Sequence, residues 1–156
     1  MQLISRSVQD TLNIGKRISG HLKPADIICL FGELGSGKTV LAKGIAGGLG
    51  IKKEKIISPT FVLIRQYPRA KIPLYHFDLY RVKTAKDILG LGYEEYFYGA
   101  GITVIEWADR LMRLMPAGHL KIKLSVKKKN QRLLEFVASG ARYKKILENL
   151  REDLKP

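Results

Sequence analysis

The residues best suited to chemistry lie in one run, Gly32-Glu33-Leu34-Gly35-Ser36-Gly37-Lys38-Thr39. It fits the phosphate-loop pattern of Gly, four residues, then Gly-Lys-Ser/Thr. Its glycines let backbone amides turn inward around phosphate oxygens with no Cβ in the way. Lys38 supplies a mobile positive charge for the outer phosphates, and Thr39 a hard hydroxyl oxygen suited to Mg²⁺. Such a loop needs a carboxylate for its metal and a group that aims the attacking water. Two acids close apolar runs and could serve: Glu106 after residues 102–105, and Asp78 after residues 74–77. Each also has a plainer role open to it. Asp78 could pair with Arg81, and Glu106 could be a simple surface acid at a strand end. His76 suits either a general base or a structural histidine held by a hydrogen bond. Glu33 falls among the loop's variable positions and is given no catalytic role.

The elements that must position these groups are readable around them. Asp26-Ile27-Ile28-Cys29-Leu30-Phe31 is a short apolar run rich in strand formers. After the loop, Leu41, Ile45 and Leu49 recur at helical spacing, with Gly48 or Gly50 as a stop. The loop therefore joins a buried strand to a helix N-terminus, where the dipole favours anions. Upstream, Ser7 can cap a helix over residues 8–22, with Val8, Leu12, Ile18 and Leu22 along one face. Downstream, Pro59 forces an extended entry into a strand over 61–67, and a turn at 68–73 returns the chain as a strand over 74–81. So short a connection predicts an antiparallel pair.

Thr84 caps a short helix to Leu89, and residues 93–97 form another turn of helix. Residues 102–107 read as a strand, and 108–115 as a short helix stopped by Pro116. Leu120, Ile122, Leu124 and Val126 alternate with Lys121, Lys123, Ser125 and Lys127, a strand with one wet face. Residues 132–138 return as its hairpin partner, and Tyr143, Ile146, Leu147 and Leu150 mark a closing helix. The fold class is α/β: three layers in the manner of a P-loop NTPase, with a mixed, mainly parallel sheet and a C-terminal antiparallel hairpin. A single domain is expected over residues 1–156. Its ligand should sit beyond the carboxyl end of the loop strand.

Bulk properties narrow the classes. With 156 residues, 46% hydrophobic and 27% charged, the chain has the composition of a soluble globular domain with a sizeable core. No apolar run nears the roughly 20 residues of a membrane span. The first residues lack a signal peptide's apolar stretch, and the single cysteine, Cys29, excludes an internal disulfide. A cytoplasmic protein is expected, with Cys29 a small core hydrophobe. The net charge of +14 fits a polyanionic partner such as RNA, an acidic protein surface, or a lysine-rich solvated surface.

Several short stretches, taken in order, resemble one family. They are the phosphate loop, Ser58-Pro59-Thr60-Phe61, His76-Phe77-Asp78-Leu79-Tyr80-Arg81, Glu95-Tyr96-Phe97 and Ile105-Glu106-Trp107. The set resembles the TsaE (YjeE) family, small bacterial P-loop ATPases required for the threonylcarbamoyl modification of adenosine 37 in tRNA. The likeness spans nearly the whole chain. It implies that Gly35, Ser36, Gly37, Lys38 and Thr39, with Val40 after them, bind the phosphates of ATP. Thr39, Asp78 and Glu106 would complete a Mg²⁺ and water site, with Lys38, Asp78 and Glu106 the catalytic groups. Thr60 would sense the outer phosphate, and Trp107 would pack near the nucleotide. Thr11 and Arg132 would be further nucleotide contacts. The resemblance also implies partners, a TsaD-like and TsaB-like pair that carries the tRNA. The basic cluster Lys121, Lys123, Lys127, Lys128, Lys129 and Arg132 would then face that pair or the tRNA itself.

Two other readings use the same residues. A small-molecule kinase would pass phosphate to a bound hydroxyl, but the arginines here are scattered rather than gathered in a lid. A basic RNA-binding module would bind RNA with no need of nucleotide.

Overall fold

A computed structural model describes residues 1–154 of the chain. Seven strands form one sheet: β1 (Gln2–Ser5), β2 (Ile27–Phe31), β3 (Ile64–Tyr67), β4 (Leu74–Asp78), β5 (Ile102–Glu106), β6 (His119–Lys128) and β7 (Gln131–Ser139). Five helices accompany them: α1 (Val8–Ser19), α2 (Lys38–Gly48), α3 (Ala85–Leu89), α4 (Tyr93–Phe97) and α5 (Ala141–Asp153). Short 3₁₀ segments lie at Lys53–Lys55 and Ala108–Leu114. The strand order is β1-β7-β6-β2-β5-β4-β3. The central strands β6, β2, β5 and β4 run parallel, and antiparallel pairs close both edges.

Side-chain alternation divides the core in two. Ile28, Leu30, Val104 and Ile122 meet Ile18, Leu41, Ile45 and Ile146 of α1, α2 and α5 on one face. Ile27, Cys29, Phe77 and Ile105 meet Ile88, Phe97 and Leu111 on the other. Both faces of β2 and β5 are covered, which is why their sequences are largely apolar. The three-layer architecture and the C-terminal hairpin are as the sequence predicts. Cys29 is fully buried, and burial pushes its thiol far above the ordinary range.

Helix α1 starts where Ser7 was expected to cap it: Ser7 Oγ accepts the Asp10 amide at 3.0 Å. Helix α5 is tied to the start of β2, since Tyr143 Oη accepts the Ile27 amide at 2.8 Å and Arg142 donates to Asp26 at 2.7 Å. Burial raises the Tyr143 phenol to about 12.

Helix α1 ends at Ser19 rather than at residue 22, with Val8 exposed, and three further differences from the sequence reading stand out. An additional edge strand, β1, precedes α1 and pairs with β7. Its four residues carry no polar–apolar alternation, and Ile4 remains exposed, so main-chain pairing rather than patterning defines it. The strand expected over 61–67 begins only at Ile64, because the Pro59 carbonyl accepts the Val62 and Leu63 amides and Leu63 turns through φ 66°. The strand expected over 74–81 ends at Asp78, where Asp78 Oδ1 accepts the Tyr80 amide and Leu79–Val82 closes a turn.

Helices α1 and α2 pack backbone to backbone through Gly15. A Cβ there would lie 2.6 Å from the Leu41 carbonyl oxygen and 2.8 Å from Gly44 Cα. Neither contact is a side-chain tip that could swing away. Gly15→Ala should therefore lower stability by about 1–3 kcal/mol. Urea denaturation measures this, and an unchanged midpoint would contradict so close a contact.

Candidate functional site

Sheet register assembles the site. Leu30 of β2 and Asp78 of β4 are both register partners of Glu106 on β5. Ile102 and Val104 face α2, so Glu106, next in the alternation, does too. On β4, Leu74 faces the same way, and His76 and Asp78 follow it. Opposite them, the chain leaves β2 and enters α2 through Gly37, whose φ of 103° a residue with a Cβ adopts only under strain. Thr39 thus arrives above the carboxyl ends of β5 and β4.

The contacts are specific. Thr39 Oγ1 donates to Glu106 Oε2 at 2.8 Å. His76 Nε2 lies 2.8 Å from Glu106 Oε1, with both side chains buried. Asp78 Oδ2 accepts the hydroxyls of Ser58 and Thr60, each at 2.8 Å. Asp78 forms no ion pair with Arg81, whose guanidinium stacks 4.2 Å from the centre of the Phe61 ring. Asp78 thus clasps the Ser-Pro-Thr turn beside the loop, while Glu106 binds the loop's threonine directly.

Lys38 Nζ donates to the Gly32 carbonyl at 2.6 Å and the Glu33 carbonyl at 2.9 Å. It lies 4.0 Å from the centre of the Trp107 ring. Burial lowers its pKa, with Glu106 and Asp78 pulling the other way. Trp107 adopts a left-handed backbone, φ 56°, uncommon for so large a residue. That turn sends its indole under Lys38 and to 5.0 Å from the Tyr80 ring.

These groups border a cavity of about 680 Å³. Gly35, Gly37, Lys38, Thr39 and Val40 form its floor, and Thr60, Asp78, Glu106 and Trp107 one wall. Thr11 and Arg132 stand across it. Thr11 Oγ1 is engaged by Ser5 Oγ at 2.6 Å, and Arg132 donates to the Gly35 carbonyl at 3.3 Å. Ser36 alone among the sequence-predicted residues is off the wall. It is buried beneath the loop, its Oγ 3.5 Å from Lys38 Nζ. Ser58, Tyr80, Lys129 and Asn130 also line the cavity, and the sequence reading gave none of them a role in the nucleotide site. Ser58 could have been found from its spacing of two from Thr60 across a proline. The β6–β7 turn that carries Lys129 and Asn130 gave a turn signal and, in Lys129, a member of the basic cluster.

A glycine loop between a buried strand and a helix, with acids from the parallel strands β5 and β4 turned toward it, defines a P-loop NTPase-type domain. The family model described as "Threonylcarbamoyl adenosine biosynthesis protein TsaE" matches residues 5–134. The chain belongs to the TsaE family. It is 39% identical over 142 residues to the tRNA threonylcarbamoyladenosine biosynthesis protein TsaE of Bacillus subtilis, covering 91% of this chain and 88% of that protein. It is 40% identical over 126 residues to the Treponema pallidum protein of that name, covering 81% and 92%. A crystal structure of Bacillus subtilis YdiB superposes with a TM-score of 0.86 at 33% identity, over 99% of this chain and 96% of that one.

Asp78→Ala removes the acceptor of Ser58, Thr60 and the Tyr80 amide together. Amide exchange across residues 58–63 should rise by about 10-fold or more while α2 stays protected. Unchanged exchange there would mean that the turn is held by something else.

Proposed function

We propose that the chain binds ATP with Mg²⁺ in this cavity and hydrolyses it to ADP and phosphate, supporting threonylcarbamoylation of adenosine 37 in tRNA by a TsaD–TsaB-type pair. The observation that carries the reading is the 2.8 Å contact between Thr39 of the phosphate loop and the buried Glu106 carboxylate. Buried carboxylates are rare without a cation or donor partner, and this one faces the loop that would hold the phosphates. The cytoplasmic setting expected from composition suits a tRNA substrate.

The donor set fits Mg²⁺. That ion prefers hard oxygen, takes one or two protein ligands, and fills its other positions with phosphate and water. Thr39 Oγ1 and the Glu106 carboxylate would hold it, with Asp78 one strand away. Among the described residues no group of three or more His, Cys, Asp or Glu forms an all-protein cage, the sparse arrangement that a nucleotide-borne metal needs. Bound there, Mg²⁺ would neutralise charge on the transferred phosphoryl group.

The chain's own groups do the rest. Lys38 now binds two loop carbonyls, and phosphate oxygens would offer its ammonium a stronger, charged acceptor. Thr60 can exchange its bond to Asp78 for one to the outer phosphate, coupling the Ser-Pro-Thr turn to the state of the nucleotide. Glu106 orients the attacking water. Catalysis of this kind is largely positioning and charge stabilisation. The basic residues of β6, β7 and their turn would face the partner pair or its tRNA.

Glu106→Gln should cut ATP hydrolysis by about 100-fold or more while nucleotide still alters the emission of Trp107, the only tryptophan. Near-normal turnover would remove Glu106 from the catalytic groups. Reconstituted tRNA modification with the two partner proteins should depend on this chain and on its Lys38. Phosphate passing to a small acceptor in preference to water would favour a kinase. RNA binding indifferent to Lys38→Ala and to nucleotide would favour a basic binding module.

A further inference from the structure

Strand β4 turns two polar side chains toward α2, His76 and Asp78. The ATPase reading uses only the second. Yet His76 is the more deeply enclosed, at 1% exposure. Its Nε2 meets Glu106 Oε1 at 2.8 Å, and its Nδ1 is buried without a hydrogen-bond partner among the described residues. An unpartnered buried nitrogen is unfavourable, and an apolar side chain of similar volume would fill the space without it. The ring's one polar interaction is therefore with Glu106.

That interaction fixes a degree of freedom the reaction depends on. Glu106 has two carboxylate oxygens and broad torsional freedom at its terminal bond. Oε2 takes the Thr39 hydroxyl, and among the described residues only the imidazole holds Oε1. Without it the carboxylate can rotate, and Oε2 no longer has a set direction toward the phosphate loop. An ionised carboxylate can only accept, so Nε2 is the nitrogen that donates to Glu106.

The geometry points to His76 as a positioning residue for the proposed hydrolysis, its Nε2–H holding Glu106 Oε1 so that Oε2 stays aimed at Thr39. This inference rests on the ATPase reading of the same site. It assigns no proton transfer to the ring. His76 acts through Glu106, as partners beyond the metal ligands do elsewhere.

Two substitutions and one spectrum test it. In His76→Leu, kcat should fall about 10–100-fold, while affinity for ADP without metal, read from Trp107 fluorescence, changes less than about twofold. His76→Gln places an amide N–H near the position of Nε2 and should recover most of the loss. Wild-type kcat in His76→Leu would overturn the inference. So would equal impairment of both variants with ADP affinity falling in step, the mark of a purely structural residue. The spectrum needs no folded His76 variant. In ¹⁵N-histidine-labelled protein, Nε2 of His76 should carry a proton, with its resonance displaced in Glu106→Ala. Identical His76 resonances in the two proteins would overturn it. If the unaltered protein fails to hydrolyse ATP even with its partners, the ATPase reading falls, and the spectrum still decides whether the ring holds Glu106.

Discussion

The parallel register of β2, β5 and β4 is the constraint on which the site depends. It aligns Leu30, Glu106 and Asp78 across three strands. Side chains alternate along a strand, so a slip of one residue in β5 would carry Glu106 to the opposite face, among Cys29 and Phe77. Apolar packing prevents the slip. Ile102 and Val104 belong under α2, and placing them there places Glu106 under Thr39. The packing that builds the core also sets a charged group at the mouth of the phosphate loop, and the two cannot be varied independently.

The helix above is held with equal stringency. Leu41 and Ile45 anchor α2 on the sheet, and the contact through Gly15 brings α1 against its back. Thr39 therefore has little room to move away from β5. The Ser-Pro-Thr turn is held differently, by two hydroxyls on one oxygen of Asp78. A clasp made of hydrogen bonds can be exchanged for others, whereas packed side chains cannot without opening a void. The wall contributed by residues 58–60 is thus the part of the site suited to change, set against a rigid floor.

Much of this was legible in the sequence. The glycine-lysine-threonine loop announces itself because its spacing is local, and the strand and helix beside it follow from simple periodicity. Glu106 and Asp78 could be singled out as acids closing apolar runs. What could not be read was pairing between residues far apart in the chain. His76 remained open between base and structural roles because its partner lies 30 residues away, and only the β4–β5 register joins them. Edge strand β1 escaped for the same reason: its partners are Leu133 and Leu134 of β7, not its own pattern. The late start of the strand after Pro59 depends on a carbonyl accepting two amides, a local detail that apolar content masks. The basic cluster also divides on inspection. Lys127, Lys128 and Lys129 are exposed at the hairpin turn, with Lys129 and Arg132 at the cavity, whereas Lys121 is half-buried 4.6 Å from the centre of the Phe31 ring. Positive charge at the cavity mouth would draw in an anionic ligand. Lys121 would add little to that field.

The most direct test is a crystal structure with a non-hydrolysable ATP analogue and Mn²⁺ in place of Mg²⁺, phased to reveal the metal by its anomalous signal. The account predicts a single peak bonded to Thr39 Oγ1 and to an oxygen of the analogue. Glu106 should reach it directly or through one water. A peak bound away from Thr39, or a Glu106 carboxylate swung toward the other face of the sheet, would contradict it.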